Sequence, residues 1–205
     1  MNSMICFMGK GRLEAFSDGV LAIIITIMVL EMKVPHGDSL ASLRPLLPVF
    51  ISYILSFIYI GIYWNNHHHM LHAARQVNGK ALWANMHLLF WLSLVPFVTG
   101  WMGQNNFATL PVALYGLVLL MAGMAYYLLA QSLAALDGKN STLAQAFGKD
   151  WKGISSIVIY GAGIGLSFVN HWLGFATYAL VAAIWFIPDK RIEKKLLKDQ
   201  SKKEI

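Results

Sequence analysis

Apolar residues occupy the chain in long runs, and polar residues gather in short clusters between them. Six runs approach or exceed the roughly 20 residues that a helix needs to cross a hydrocarbon core of about 30 Å. They lie at about Glu14–Met32, Leu47–His67, Ala81–Trp101, Thr109–Leu133, Lys152–Asn170 and His171–Pro188. The last two share one apolar stretch. As a single helix it would extend about 55 Å, well past the core, so the pattern predicts two short helices that turn at Asn170-His171. Pro96 inside the third run predicts a kink, with Thr99 placed to satisfy a freed carbonyl. Gly161, Gly163 and Gly165 give the fifth run a small-residue face suited to close helix packing. The expected fold is all-α: one six-helix transmembrane domain spanning residues 1–205. The longest loop, about Ala134–Trp151, leaves no room for a separate catalytic domain.

Composition narrows the class. The chain has 205 residues, 57% hydrophobic and 13% charged, against about 25% charged in soluble domains. A disordered chain or a soluble enzyme does not fit these values. The single cysteine, Cys6, excludes an intrachain disulfide scaffold. The net charge of +6 raises nucleic-acid binding as a possibility, but its distribution argues otherwise. Lys190, Arg191, Lys194, Lys195, Lys198, Lys202 and Lys203 form a terminal basic tail over about 189–205, without interleaved aromatics. It suits anionic lipid at a cytoplasmic surface. With six spans both termini share a side, and of the 16 Lys and Arg only Lys33 and Arg44 fall on the other. Both termini are therefore expected to be cytoplasmic. No apolar run precedes Lys10, so no cleavable signal peptide is expected.

The first run carries the most information. A charge at the centre of a membrane helix costs about 2.5–3.5 kcal/mol, and here Arg12, Glu14 and Asp18 cluster near one end while Glu31 closes the other. At about 100° per residue, Arg12, Phe16, Ile23, Ile27 and Leu30 share a stripe that Thr26 flanks. Asp18 points about 140° away from Ile23, toward neighbouring helices. By spacing alone the stripe suits lipid or protein packing, and Asp18 suits a structural acid paired with Arg12 or a histidine.

The motifs converge when taken in order. Arg12, Phe16-Ser17-Asp18-Gly19, Ala22-Ile23, Thr26 and Leu30-Glu31 are followed by Trp64-Asn65-Asn66-His67-His68 and then by Ser93-Leu94-Val95-Pro96-Phe97-Val98-Thr99. The set resembles the FSD, W-x-x-H-H and S-L-x-P-F-x-T elements of the prokaryotic branch of the transmembrane protein 175 family of potassium channels. The second half resembles it only in helix count and hydropathy. The resemblance implies a homotetramer in which four first helices surround a central pore. Ile23, Ile27 and Leu30 would form the constriction, and Thr26 would add a layer of hydroxyls. Relatives often carry Leu where this chain has Ile27. Arg12, Phe16, Ser17, Asp18, Trp64, His67 and His68 would anchor the pore helix, with one of the two histidines facing Asp18. A pH effect on conductance between about pH 5 and 8 would follow from such a contact.

No TVGYG-like carbonyl filter is present, and no helix has the repeated arginines of a voltage sensor. A narrow apolar ring gates by dewetting, and the more weakly hydrated ion loses less on passing it. The expectation is a weakly selective, leak-like channel that prefers K⁺ to Na⁺, with no cofactor and no resident metal. Its partners would be itself, membrane lipid and permeant K⁺, and not nucleic acid. Its place would be the cell membrane, as a multi-pass protein of a bacterial inner membrane. His68 and His72 have a spacing compatible with metal ligation. No cysteine or neighbouring carboxylate in the segment joins them, so His69 and His72 read as interfacial. The alternative function is a secondary or proton-coupled transporter, although no inverted repeat is visible. An intramembrane enzyme lacks a catalytic set.

Overall fold

The computed structural model describes residues 10–74, 76–138 and 151–186, and every regular element among them is helical. In order these are α1 (Lys10–Leu30), a 3₁₀ helix (Leu40–Leu46), α2 (Leu47–Ala73), α3 (Gly79–Ser93), α4 (Val95–Gln104), α5 (Thr109–Asp137), α6 (Trp151–Val169) and α7 (His171–Phe186). Five stretches are long and apolar enough to cross a bilayer: Lys10–Leu30, Leu40–Ala73, Gly79–Gln104, Thr109–Leu136 and Trp151–Val169. Helix α7 is as apolar but has 16 residues, about 24 Å of axis, which leaves it short of a full core. The protein is a multi-pass membrane protein. The basic tail, Cys6, Arg75, Lys139 and Lys149 lie outside the described residues.

One expectation is sharpened and two change. The third run bends next to Pro96, as expected, and the bend interrupts the hydrogen-bond ladder, so one span is divided into α3 and α4. The proline ring would clash with the carbonyl four residues back and has no N–H to continue the ladder. The chain therefore breaks at Leu94 (φ −84°, ψ −12°), and Pro96 sits in the first turn of α4, where its missing donor does no harm. Thr99 does not serve a freed carbonyl. Its hydroxyl lies 2.6 Å from that of Ser56 on α2, which in turn lies 3.1 Å from the Tyr115 hydroxyl on α5. The three glycines of α6 do not share one role either. A side chain at Gly163 would run into Thr177 and Tyr178 of α7, whereas Gly161 and Gly165 face open space. Residues two apart on a helix point about 200° apart, so Gly163 alone packs.

The turn between α6 and α7 falls at Asn170, as the length argument required. The Asn170 amide donates back to the Leu166 carbonyl (2.8 Å), and its side-chain oxygen accepts from the Trp172 amide (2.9 Å), which caps α7.

Helix α5 is central and packs against α3, α4, α6 and α7, while α1 lies to one side against α2, α3 and α4. The core includes Ile60, Met70, Leu88, Met102, Leu119 and Leu129 with Tyr59, Tyr115 and Tyr178. Lipid offers little apolar drive for helices to associate, so interhelical hydrogen bonds contribute to adhesion. The Tyr59 hydroxyl donates to the Tyr178 carbonyl at 2.6 Å and ties α2 to α7.

Candidate functional site

Helix α1 has two faces of similar greasiness and opposite surroundings. Leu13, Ser17, Leu21, Ile24 and Met28 are buried, at the spacing of one helical stripe. The opposite stripe is exposed: Arg12, Ala15, Phe16, Gly19, Ala22, Ile23, Thr26, Ile27 and Leu30. Ile23 is 59% and Leu30 75% exposed, whereas Ile24 and Met28 are each 2% exposed. The structure therefore gathers Ile23, Thr26, Ile27 and Leu30 along one uncovered line, with Phe16 and Arg12 toward its N-terminal end. Thr26 donates its hydroxyl proton to the Ala22 carbonyl at 3.0 Å, so the oxygen is left as an acceptor along that line.

A polar seam joins α1 to α2. The Lys10 ammonium donates to the carbonyls of His72 and Ala74, each at 3.2 Å. It thus satisfies carbonyls at the C-terminal end of α2, where a cation complements the helix dipole. One turn on, His68 Nδ1 lies 2.9 Å from Glu14 Oε1. One turn further, Trp64 Nε1 donates to Asp18 Oδ1 at 3.1 Å. Each four-residue step up α1 meets a four-residue step down α2, as antiparallel helices in register require. Along α2 the rings of Trp64, His68 and His72 form a stack, with successive centroids 6.2 Å apart.

Behind the seam lies a buried chain of hydrogen bonds that ties three helices. Ser17 donates to the Leu13 carbonyl at 2.8 Å, and the Asn85 amide donates to the Ser17 oxygen at 2.9 Å. With its NH₂ group turned to Ser17, Asn85 presents Oδ1 to His67 Nε2 at 2.8 Å. The acceptor there requires the proton to sit on Nε2. His67 Nδ1 is then a buried acceptor with no partner among the described residues. Ser17 and Asn85 are fully buried and His67 is 2% exposed.

The expected histidine contact to Asp18 is therefore corrected. His67 turns to Asn85, His68 turns to Glu14, and Asp18 is bonded by Trp64. Consecutive residues on a helix diverge by about 100°, so His67 can face the core while His68 faces the seam. Arg12 does not bond Asp18; it stands on the exposed stripe with Phe16. The sequence reading missed Glu14 as a histidine partner; it marks Asn85, polar in an apolar run, for helix–helix hydrogen bonding, and the structure supplies its partners Ser17 and His67. The signal available for the first was the matched four-residue spacing of Glu14/Asp18 and Trp64/His68. Among the described residues no three His, Cys, Asp or Glu side chains converge on a common point.

The family model described as endosomal/lysosomal potassium channel TMEM175 matches residues 12–96. A protein named potassium channel from Chryseobacterium sp. (strain P1-3) is 58% identical over 189 residues, covering 92% of this chain and 98% of its own length. The chain belongs to the TMEM175 family. A potassium channel from Streptomyces collinus is 30% identical over 84% of this chain and 89% of its own length. The crystal structure of a lysosomal potassium-selective channel TMEM175 homolog from Chamaesiphon minutus superposes with a TM-score of 0.74 at 26% identity, covering 87% of this chain and 96% of that one. The matched TMEM175 segment contains the exposed stripe from Arg12 to Leu30, the α2 side of the seam, and Asn85. Apart from the Lys10 contacts, the polar contacts and the uncovered face thus lie together in the segment that the family model matches.

Proposed function

We infer that this protein is a potassium channel whose conduction path is enclosed by α1 helices from four copies of the chain. The observation that carries the reading is the uncovered stripe of α1. A helix tied to its own subunit by a seam and a buried hydrogen-bond chain still leaves Ile23, Thr26, Ile27 and Leu30 bare. One subunit offers a single such face, so several copies are needed to enclose a conduit. The full-length likeness to proteins named potassium channels supports the ion.

In this arrangement Ile23, Ile27 and Leu30 form successive apolar rings with Thr26 between them. Such rings offer an ion no ligands and discriminate through the loss of hydration. The channel is a weakly selective, K⁺-preferring leak in the inner membrane of a bacterium, with both termini cytoplasmic. Lys10, Ser17, Asp18, Trp64, His67, His68 and Asn85 hold the rotation of α1 within its subunit, and Arg12 and Phe16, exposed at the N-terminal end of the stripe, anchor it against a neighbouring copy. It is a passive conduit and not an enzyme, and its function calls for no cofactor.

Reconstitution of the purified protein in planar bilayers tests this. Unitary K⁺ currents exceeding Na⁺ currents are expected. Ile23→Asn should wet the constriction and raise Na⁺ permeability relative to K⁺. Absence of unitary currents, or an Ile23→Asn channel with the parent's K⁺/Na⁺ ratio, would sink the assignment.

A further inference from the structure

The stack of rings on α2 has a use that the channel reading does not absorb. We propose that His68 and His72 form a two-imidazole site for a divalent transition metal of the zinc, nickel or copper class, with Glu14 as the carboxylate that orients it. His68 and His72 lie four residues apart in a segment that stays helical through Ala73, so they project from one face. This is the spacing by which paired histidines on a helix hold zinc. Their rings are near parallel, inclined by 18° with centroids 6.2 Å apart, so the exposed His72 ring must rotate to turn both Nε2 atoms onto one ion about 2 Å from each.

The decisive contact is the one the local sequence lacks. An ionised carboxylate only accepts hydrogen bonds, so Glu14 Oε1, 2.9 Å from His68 Nδ1, places the ring proton on Nδ1. In the neutral ring that leaves the Nε2 lone pair of His68 free to meet a metal. Histidines that ligate metals almost always donate their other N–H to such a carboxylate, which fixes the tautomer and raises ligand basicity. Glu14 therefore serves as orienting group, and the ligands are two imidazoles completed by water. Among the described residues no third ligand side chain joins the pair. The site is reachable, since the His68 side chain is 47% exposed and His72 is exposed. Imidazole pairs suit zinc, copper and nickel and discriminate against magnesium and calcium, which prefer oxygen. The Lys10 ammonium, 3.2 Å from the His72 carbonyl, lowers the affinity without occupying either ring.

The test uses the tag-free, full-length protein in detergent, titrated with Zn²⁺ against a chromogenic chelator, so it does not depend on conductance. One saturating Zn²⁺ per chain is expected. His68→Gln and His72→Gln should each weaken binding about tenfold or more, Glu14→Gln about tenfold, and His69→Gln by less than about twofold. His72→Gln keeps the main-chain carbonyl that Lys10 holds, so it preserves the fold even if His68→Gln does not. No saturable binding by the parent protein overturns the proposal. So does unchanged binding by His72→Gln, or loss of binding in His69→Gln. A protein that conducts K⁺ without binding Zn²⁺ would refute this site and leave the channel reading intact; the converse result would do the reverse.

Discussion

Asn85 illustrates how unequal neighbouring contacts can be. It bonds Ser17 and His67 inside the protein, where an orphaned polar group costs about 1–3 kcal/mol. Asn85→Ala strips both at once and should markedly lower the melting temperature in detergent. The Glu14–His68 pair is of similar length but partly exposed, and such pairs contribute about 0–1 kcal/mol. Glu14→Ala should shift the same melt far less. Equal shifts for the two variants would show that the buried chain is not what secures α1. Asn85 was legible only as a polar residue in an apolar run, which marks interhelical bonding without naming partners. His67 and His68 were legible as a pair, but one sequence cannot say which of two adjacent side chains points inward. That depends on where the helix is cut off from lipid by its neighbours.

At the level of elements, hydrophobic run length located the helices well because a bilayer imposes its thickness on any chain that crosses it. The turn at Asn170-His171 followed from that constraint alone. The break at Leu94 did not, since a proline inside a run signals either a kink or two helices, and packing decides which. Here Thr99 of α4 reaches Ser56 of α2 once the axis is redirected. The glycines of α6 show the same limit: all three looked equivalent until α7 was placed. Gly163→Ala should destabilise the α6–α7 pair by about 1–3 kcal/mol, the usual range for overpacking, because the methyl meets Thr177 and Tyr178. Gly161→Ala, in open space, should stay within about 1 kcal/mol of the parent. Thermal unfolding in one detergent compares the two directly.

For the whole molecule, the question is what covers the bare stripe of α1. In a Cys6→Ser background, Leu30→Cys should form disulfide-linked dimers on mild oxidation in membranes, because four such positions would meet around an axis. Val181→Cys, buried within one subunit, should stay monomeric under the same conditions. A Leu30→Cys protein that never cross-links would place the stripe against acyl chains. The stripe itself was legible as a periodicity, but its exposure was not. Both faces of α1 are apolar, so no hydrophobic asymmetry distinguishes the side that packs from the side left bare.

The seam between α1 and α2 stops at Asp18. Below that residue the helix is fastened by charges and amide groups. Beyond it, Leu21, Ile24 and Met28 rest on neighbours through dispersion forces alone. The helix is in effect a cantilever, clamped at one extremity and merely leaning at the other. A substitution in the clamp should therefore let the whole rod turn, whereas one at the tip should displace only Ile27 and Leu30.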